Sequence, residues 1–298
     1  MVGLRKLDPP YKNVSLSAQD SIVLELCHLR RTNVSTRLES AAEIYARVLT
    51  HLLERIRQAT VWDEPFLHTY FEDLFPADVY AALLAHLPEA KQYGTGPRDP
   101  NGRHLVRGFY NLTTGGISRF PESCRNLWRG VTVALTDPQL KRCVYAKFAL
   151  ELSRRYGVEE TKVPDLAGHA RPTLYRDIEG FEIPAHPDTL KKVVTMHLYL
   201  PTDLSQLHLG TALYRRNSNP LSKSDWLSGF TKIKQFAFRP NSGYAFVVTG
   251  NGPRQSWHGC ERLPPGAGVR NTLLNTFYAD PRSGYSGYLQ EAWETSER

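Results

Sequence analysis

Cysteine is scarce in this chain and unpatterned. Cys27, Cys124, Cys143 and Cys260 show no C-x-x-C spacing, so the sequence offers neither a disulfide framework nor a zinc knuckle. Long apolar runs are missing as well. No stretch approaches the roughly 20 residues a helix needs to cross a bilayer, and the opening residues MVGLRKLDPPYKNV hold no apolar segment of a secretory signal. The expected setting is therefore reducing and cytoplasmic, with no membrane partner. In that setting the sequons at Asn13, Asn33 and Asn111 carry no meaning. Internal repeats and low-complexity tracts are absent. The net charge is +7, yet the densest basic runs, Arg30-Arg31, Lys191-Lys192 and Arg215-Arg216, are only pairs. Charge spread this thinly describes a mildly basic surface, and no nucleic-acid partner is expected.

What is present is enough apolar material for a core. Hydrophobic residues make up 41% of 298, which excludes the low-hydrophobicity signature of disorder and allows one large domain or two small ones. The expected division is an N-terminal helical region over 1–60 and a second domain over 61–298. Residues 1–35 read as irregular, with one short helix from Ile22 to Leu29. Ser40-Ala41-Ala42-Glu43 has capping-box spacing, and Ile44, Tyr45, Val48, Leu49, Leu52, Leu53 and Ile56 follow at helical spacing up to Ala59. The Leu49, Leu52, Leu53 and Ile56 stripe needs a partner, either a homodimer contact through the N-terminal helices or the rest of the fold. Phe75-Pro76 opens a second helix, stopped by Pro88. Asp137-Pro138 reads as N-cap and first position of a third, running to Tyr156-Gly157.

The texture changes after about residue 170. Residues 90–120 read as a loop or irregular strands. Then short β-type runs alternate with turn signals: Thr173–Tyr175, Val193–Leu200, Ala212–Tyr214, Ile233–Phe238, Tyr244–Val248 and Thr272–Tyr278. That rhythm suggests an antiparallel barrel or jelly-roll. Between the runs lies His186-Pro187-Asp188. Residues two apart on a strand share a face, so this imidazole and carboxylate can bind one ion. A third ligand must come from a distant strand, and the run beginning at Gly243 delivers His258. Two imidazoles and a carboxylate are the donor set of a mononuclear non-haem iron(II) site with an open face. Arg270, twelve positions after His258, offers a cationic fork for a carboxylate.

Tyr175, His186-Pro-Asp188, Tyr199-Leu200, Gly210-Thr-Ala-Leu-Tyr214, Gly243, His258 and Arg270 occur in the order found in iron(II)/2-oxoglutarate-dependent dioxygenases, and residues 170–280 resemble the prolyl-hydroxylase-like branch of that superfamily. The resemblance implies an α+β fold class: a double-stranded β-helix (jelly-roll or cupin-like) core with N-terminal and flanking helices. It implies Fe(II) on His186, Asp188 and His258, and O2 and 2-oxoglutarate as co-substrates. Arg270 would pair with the distal carboxylate of 2-oxoglutarate, Thr272 and Tyr199 would touch the same carboxylate, and Tyr175 would meet the keto acid or the substrate. The implied reaction hydroxylates an unactivated C–H bond, with release of succinate and CO2. Asp188 stands where radical halogenases of the family carry a small residue, which favours hydroxylation. Gly210-Thr211 replaces the commoner Gly-Gly, and the stretch from Tyr214 to Ile233, with Asn217, Pro220, Trp226 and Phe230, is long for a hairpin and suits a lid or substrate loop.

A small molecule, such as an amino acid derivative or natural-product intermediate, is the leading substrate reading. A peptide or protein side chain is the second, and an open groove would favour it. A nucleic-acid demethylase would carry a second arginine where Thr276 stands. A non-catalytic metal-binding barrel would turn over no 2-oxoglutarate. Asp177 and Glu179 read as solvated loop acids, Cys260 as structural, His197 as either pocket-lining or hydrogen-bonded in the core, and Trp257 as packing that excludes water.

Overall fold

The computed structural model describes residues 39–95, 106–217, 229–250 and 254–283. The short helix expected at Ile22–Leu29, part of the 90–120 loop, and Pro220 and Trp226 of the long insert lie outside the described residues. The described residues form one compact unit.

Helix α1, Ala41–Gln58, starts where the capping box predicts. The Ser40 hydroxyl accepts from the Glu43 amide and the Glu43 carboxylate accepts from the Ser40 amide, satisfying two donors that a helix start leaves open. Short strands β1 (Val61–Trp62) and β2 (His68–Glu72) lead into α2 (Ala77–Ala85). After β3 (Gly94–Thr95) and β4 (Arg107–Asn111) come α3 (Thr114–Ser118), α4 (Glu122–Thr136), α5 (Pro138–Lys147) and α6 (Ala149–Tyr156). The single helix expected over 138–156 is thus two, broken at Phe148, whose backbone leaves the helical region at φ −110° and ψ 24°. Helix α4 was not among the helices expected; it runs from an exposed first turn into a second half, Gly130 to Thr136, in which every residue is buried.

The α1 stripe finds its partner within the chain. It packs on α4 and α5, and Leu49, Leu52, Leu53 and Ile56 are buried in the main core. A Cβ at Gly130 would sit 2.6 Å from the Ala41 carbonyl oxygen, so only glycine allows α4 this approach to the first turn of α1. The Tyr45 hydroxyl donates to Asp137 at 2.7 Å, and Asp137 also caps α5.

The strands from residue 169 onward are β5 (His169–Asp177), β6 (Ile183–His186), β7 (Lys192–Tyr199), β8 (Ala212–Arg216), β9 (Phe230–Gln235), β10 (Ser242–Val247), β11 (His258–Cys260) and β12 (Arg270–Tyr278). They lie in two antiparallel sheets, ordered β1-β2-β10-β7-β12-β5-β4-β3 and β6-β11-β8-β9. Counted from β5, the core strands run six-three-eight-one in the larger sheet and two-seven-four-five in the smaller. This is the strand order of a double-stranded β-helix, with helices flanking it. Alternation along β7 divides the molecule. Val194, Met196 and Leu198 join the helix-covered core, while Thr195, His197 and Tyr199 face the space between the sheets, as their partners on other strands show.

Candidate active site

The end of β6 and the start of β11 are neighbours, and their register sets His186 opposite His258. The two ring centroids are 4.4 Å apart. Asp188 follows just beyond β6. Ligating atoms of the three side chains lie within 4.8 Å of one another. The histidine tautomers follow from their contacts. His186 Nδ1 is 3.0 Å from the Pro184 carbonyl oxygen and His258 Nδ1 is 2.9 Å from that of Ser256. A carbonyl only accepts, so each Nδ1 carries the proton and each Nε2 presents a lone pair. Burial, with His186 nearby, lowers the His258 pKa to about 4 against the opposing pull of Asp188, which keeps the imidazole neutral and able to ligate at pH 7.

Asp188 is held by two donors. Lys192 pairs with Oδ1, and the Thr195 hydroxyl donates to Oδ2 at 2.7 Å. Burial pushes this carboxyl up, but the charges of His258 and Lys192 and the two hydrogen bonds outweigh it and hold the pKa below its ordinary value. His258 Nε2 stands 3.9 Å from Asp188 Oδ2, too far for a hydrogen bond. Two imidazoles and a carboxylate converging on one point fit a divalent first-row metal. Phe246, 4.6 Å from the His258 ring centroid to centroid, is an apolar neighbour of the site.

Arg270, at the start of β12, lies opposite Asp177 at the end of β5. It is 1% exposed. Its Nη1 donates to Asp177 at 2.8 Å and its Nε to the Leu209 carbonyl oxygen at 2.8 Å. Asp177, expected as a solvated loop acid, is instead 0% exposed and also lies 3.0 Å from Arg107 Nε on β4. Strand β5 continues to Asp177, so Thr173, Tyr175 and Asp177 share one face. Burial raises the Asp177 pKa and the two guanidinium groups oppose that rise; with two permanently charged partners in contact it is an ion at neutral pH. Glu179 is exposed, as expected.

Between these clusters runs a row of polar side chains. Thr272 pairs in register with Tyr175 on one side and Tyr199 on the other, and Thr276 pairs with Thr195. Among the described residues the buried atoms Thr272 Oγ1, Thr276 Oγ1 and His197 Nε2 have no hydrogen-bond partner. Buried polar atoms are nearly always satisfied, so three on one interior face mark a place for a polar ligand. His197 is also a hydrogen-bonded core residue, because its Nδ1 meets the Tyr244 hydroxyl at 3.0 Å. The Tyr199 hydroxyl accepts from the Thr211 amide at 2.9 Å, and burial pushes its pKa to about 12, leaving its proton available to an acceptor. Tyr175 is half-buried beneath Arg107, whose guanidinium carbon is 4.1 Å from the ring centroid. Trp257 belongs to a separate cluster with Ala185, Ala212, Tyr214 and Phe230.

The structure thus brings His186, Asp188 and His258 together, and gathers Arg270, Thr272, Tyr199 and Tyr175 along the same interior. Sequence reasoning missed Lys192, Thr195, Asp177 and Arg107. Lys192 had a local signal, four positions after Asp188; the others depend on register between distant strands.

No protein-family model matches the chain, and no curated protein is significantly similar to it. Solved structures do align with it. One is a prolyl hydroxylase from Trichoplax adhaerens in complex with a hypoxia inducible factor peptide, with 11% identity, covering 80% of this chain and 91% of the other at a TM-score of 0.43. A Pseudomonas putida prolyl-4-hydroxylase is 14% identical over 78% and 99% of the two chains at a TM-score of 0.43. The α-ketoglutarate-dependent carbocyclase SnoK of nogalamycin biosynthesis is 9% identical over 76% and 82%, also at 0.43.

Proposed function

We propose that this protein is an Fe(II)- and 2-oxoglutarate-dependent oxygenase of the prolyl-hydroxylase-like branch, hydroxylating an unactivated C–H bond of a small molecule. The observation that carries the reading is the convergence of His186 Nε2, His258 Nε2 and the Asp188 carboxylate, with both tautomers set by backbone carbonyls. These three would hold the iron. Bound iron with 2-oxoglutarate and O2 supplies the oxidising power that places one oxygen atom in the substrate and releases succinate and CO2.

The chain's own residues supply orientation and exclusion of water. Arg270, fixed by Asp177 and the Leu209 carbonyl, would receive the distal carboxylate of 2-oxoglutarate. The Thr272 hydroxyl, two residues along the same face, and the Tyr199 hydroxyl add donors beside it, and Tyr175 borders the same space. Thr195 and Lys192 orient Asp188, much as hydrogen-bonded partners orient metal ligands generally. Phe246 lies 4.6 Å from the His258 ring, with Phe66 and Tyr244 packed against it, and all three are buried. These rings offer apolar contact to a small substrate, such as an amino acid derivative or a natural-product intermediate.

Anaerobic titration of Fe(II)-loaded protein with 2-oxoglutarate tests this. The expected result is a visible charge-transfer band that saturates at one equivalent. Iron demonstrably bound with no band would remove the oxygenase reading.

A further inference from the structure

The charges around Asp177 do not cancel. Arg270 and Arg107 contact its two oxygens, at 2.8 and 3.0 Å. Two guanidinium groups against one carboxylate leave one positive charge beside Asp177 and Arg270, which are 0% and 1% exposed, and the Arg107 side chain that carries it is 26% exposed. Water reaches part of Arg107, so the free protein tolerates this surplus, and the surplus attracts one more anion to the group. Thr272 Oγ1 and His197 Nε2, both buried and unpartnered among the described residues, lie on the same interior face.

Arg107 is not a loose surface partner of this group. Its guanidinium lies over the rings of Tyr175 and Phe181, 4.1 and 4.5 Å from their centroids, which fixes its plane. Its Nε lies 3.0 Å from Asp177 Oδ1 as an ion pair, and neither atom has a hydrogen-bond partner among the described residues. The charge also reaches the interior: after burial itself, Arg270 and then Arg107 are the main influences lowering the His197 pKa. Arg107 comes from β4, outside the eight core strands, so nothing in the core-strand pattern points to it.

We propose that Arg107 is the second cation of the co-substrate seat, with Asp177 as the shared anion that fixes both guanidinium groups and leaves the seat one positive charge, matched to the single distal carboxylate of a dicarboxylic keto acid. The proposal rests on the oxygenase reading above. Its test compares 2-oxoglutarate with 2-oxobutyrate, which has the same keto acid head and no distal carboxylate. Both are titrated anaerobically into the Fe(II)-loaded full chain, reading dissociation constants from the charge-transfer band. Arg107→Gln should weaken 2-oxoglutarate at least tenfold and leave 2-oxobutyrate within about twofold, while Arg107→Lys should recover part of the loss. Arg107→Met, which keeps the packing over Tyr175, replaces the Gln variant should that one not fold. Equal weakening of both acids, or no change in either, overturns the assignment of Arg107 while leaving the oxygenase reading intact. A wild-type protein that holds iron yet shows no band with 2-oxoglutarate overturns the oxygenase reading itself, and the seat with it.

Discussion

Three histidines in this protein share one local device. His68, His186 and His258 each place Nδ1 within 3.0 Å of the carbonyl oxygen two residues earlier. The device fixes a tautomer but does not by itself make a ligand. What Nε2 meets decides that. At His68 it meets Lys234 Nζ at 3.1 Å, so the lone pair accepts a hydrogen bond. At His186 and His258 it meets the other imidazole and Asp188. Replacing His186 or Asp188 with Ala should therefore raise the dissociation constant for Fe(II) by about 100-fold or more, the scale seen even for outer partners of metal ligands; iron bound stoichiometrically in either variant would move the site. His68 makes a different prediction. Burial lowers its pKa to about 4 from an ordinary 6.5. The unfolded chain then binds more protons between those two values, so stability rises with pH across that window and falls as the solution is acidified through it. The loss ascribable to His68 is at most about 3 kcal/mol, with His197 shifted in the same direction. Urea unfolding at several pH values should show a shallower acid slope for His68→Phe than for the wild type; parallel slopes would mean that His68 protonates without cost.

At the scale of elements, what could be read in the sequence tracks how local the cause is. The capping box at Ser40 and the Asp137-Pro138 start are chemistry within four residues, and both helices begin there. The ends of β5 had no such cue. Only the three residues Thr173–Tyr175 read as strand, yet the pairing with β12 extends from His169 to Asp177. Strands β6 and β11, four and three residues long, are too short to show a period, although they carry both candidate histidine ligands. The turn before β8 shows a finer case. Glycine at the first position of Gly210-Thr211 is required by space, since a Cβ there would lie 1.6 Å from the Phe236 carbonyl oxygen. Thr211 needs no such freedom, and its amide instead donates to the Tyr199 hydroxyl. Gly210→Ala should separate β8 from the segment after β9 and cost about 1–3 kcal/mol as overpacking does. Calorimetry should show the melting temperature falling by several degrees. An unchanged value would show that the turn relaxes without loss.

Across the whole molecule, the two sheets are joined at the candidate metal site by side chains rather than by strand pairing. His186 and His258 belong to the smaller sheet. Asp188, in the link to the larger one, is tied to Thr195 and Lys192 of β7 in that sheet. Arg270 and Asp177 add a long-range tie within the larger sheet, 93 positions apart in the chain, which no local pattern announces. A metal held by all three ligands would therefore clamp the smaller sheet to the larger, and the unfolded chain, with its ligands dispersed, would bind it far more weakly. A ligand confined to the folded state stabilises it in proportion to the logarithm of its concentration, by about 2.7 kcal/mol at 100 times the dissociation constant. Fe(II) under anaerobic conditions should accordingly raise the melting temperature by several degrees, a chelator should reverse the rise, and Asp188→Ala should melt at one temperature with or without metal. A shift of the same size in Asp188→Ala would place the stabilising ion elsewhere on the protein, and with it the centre from which the rest of the site was argued.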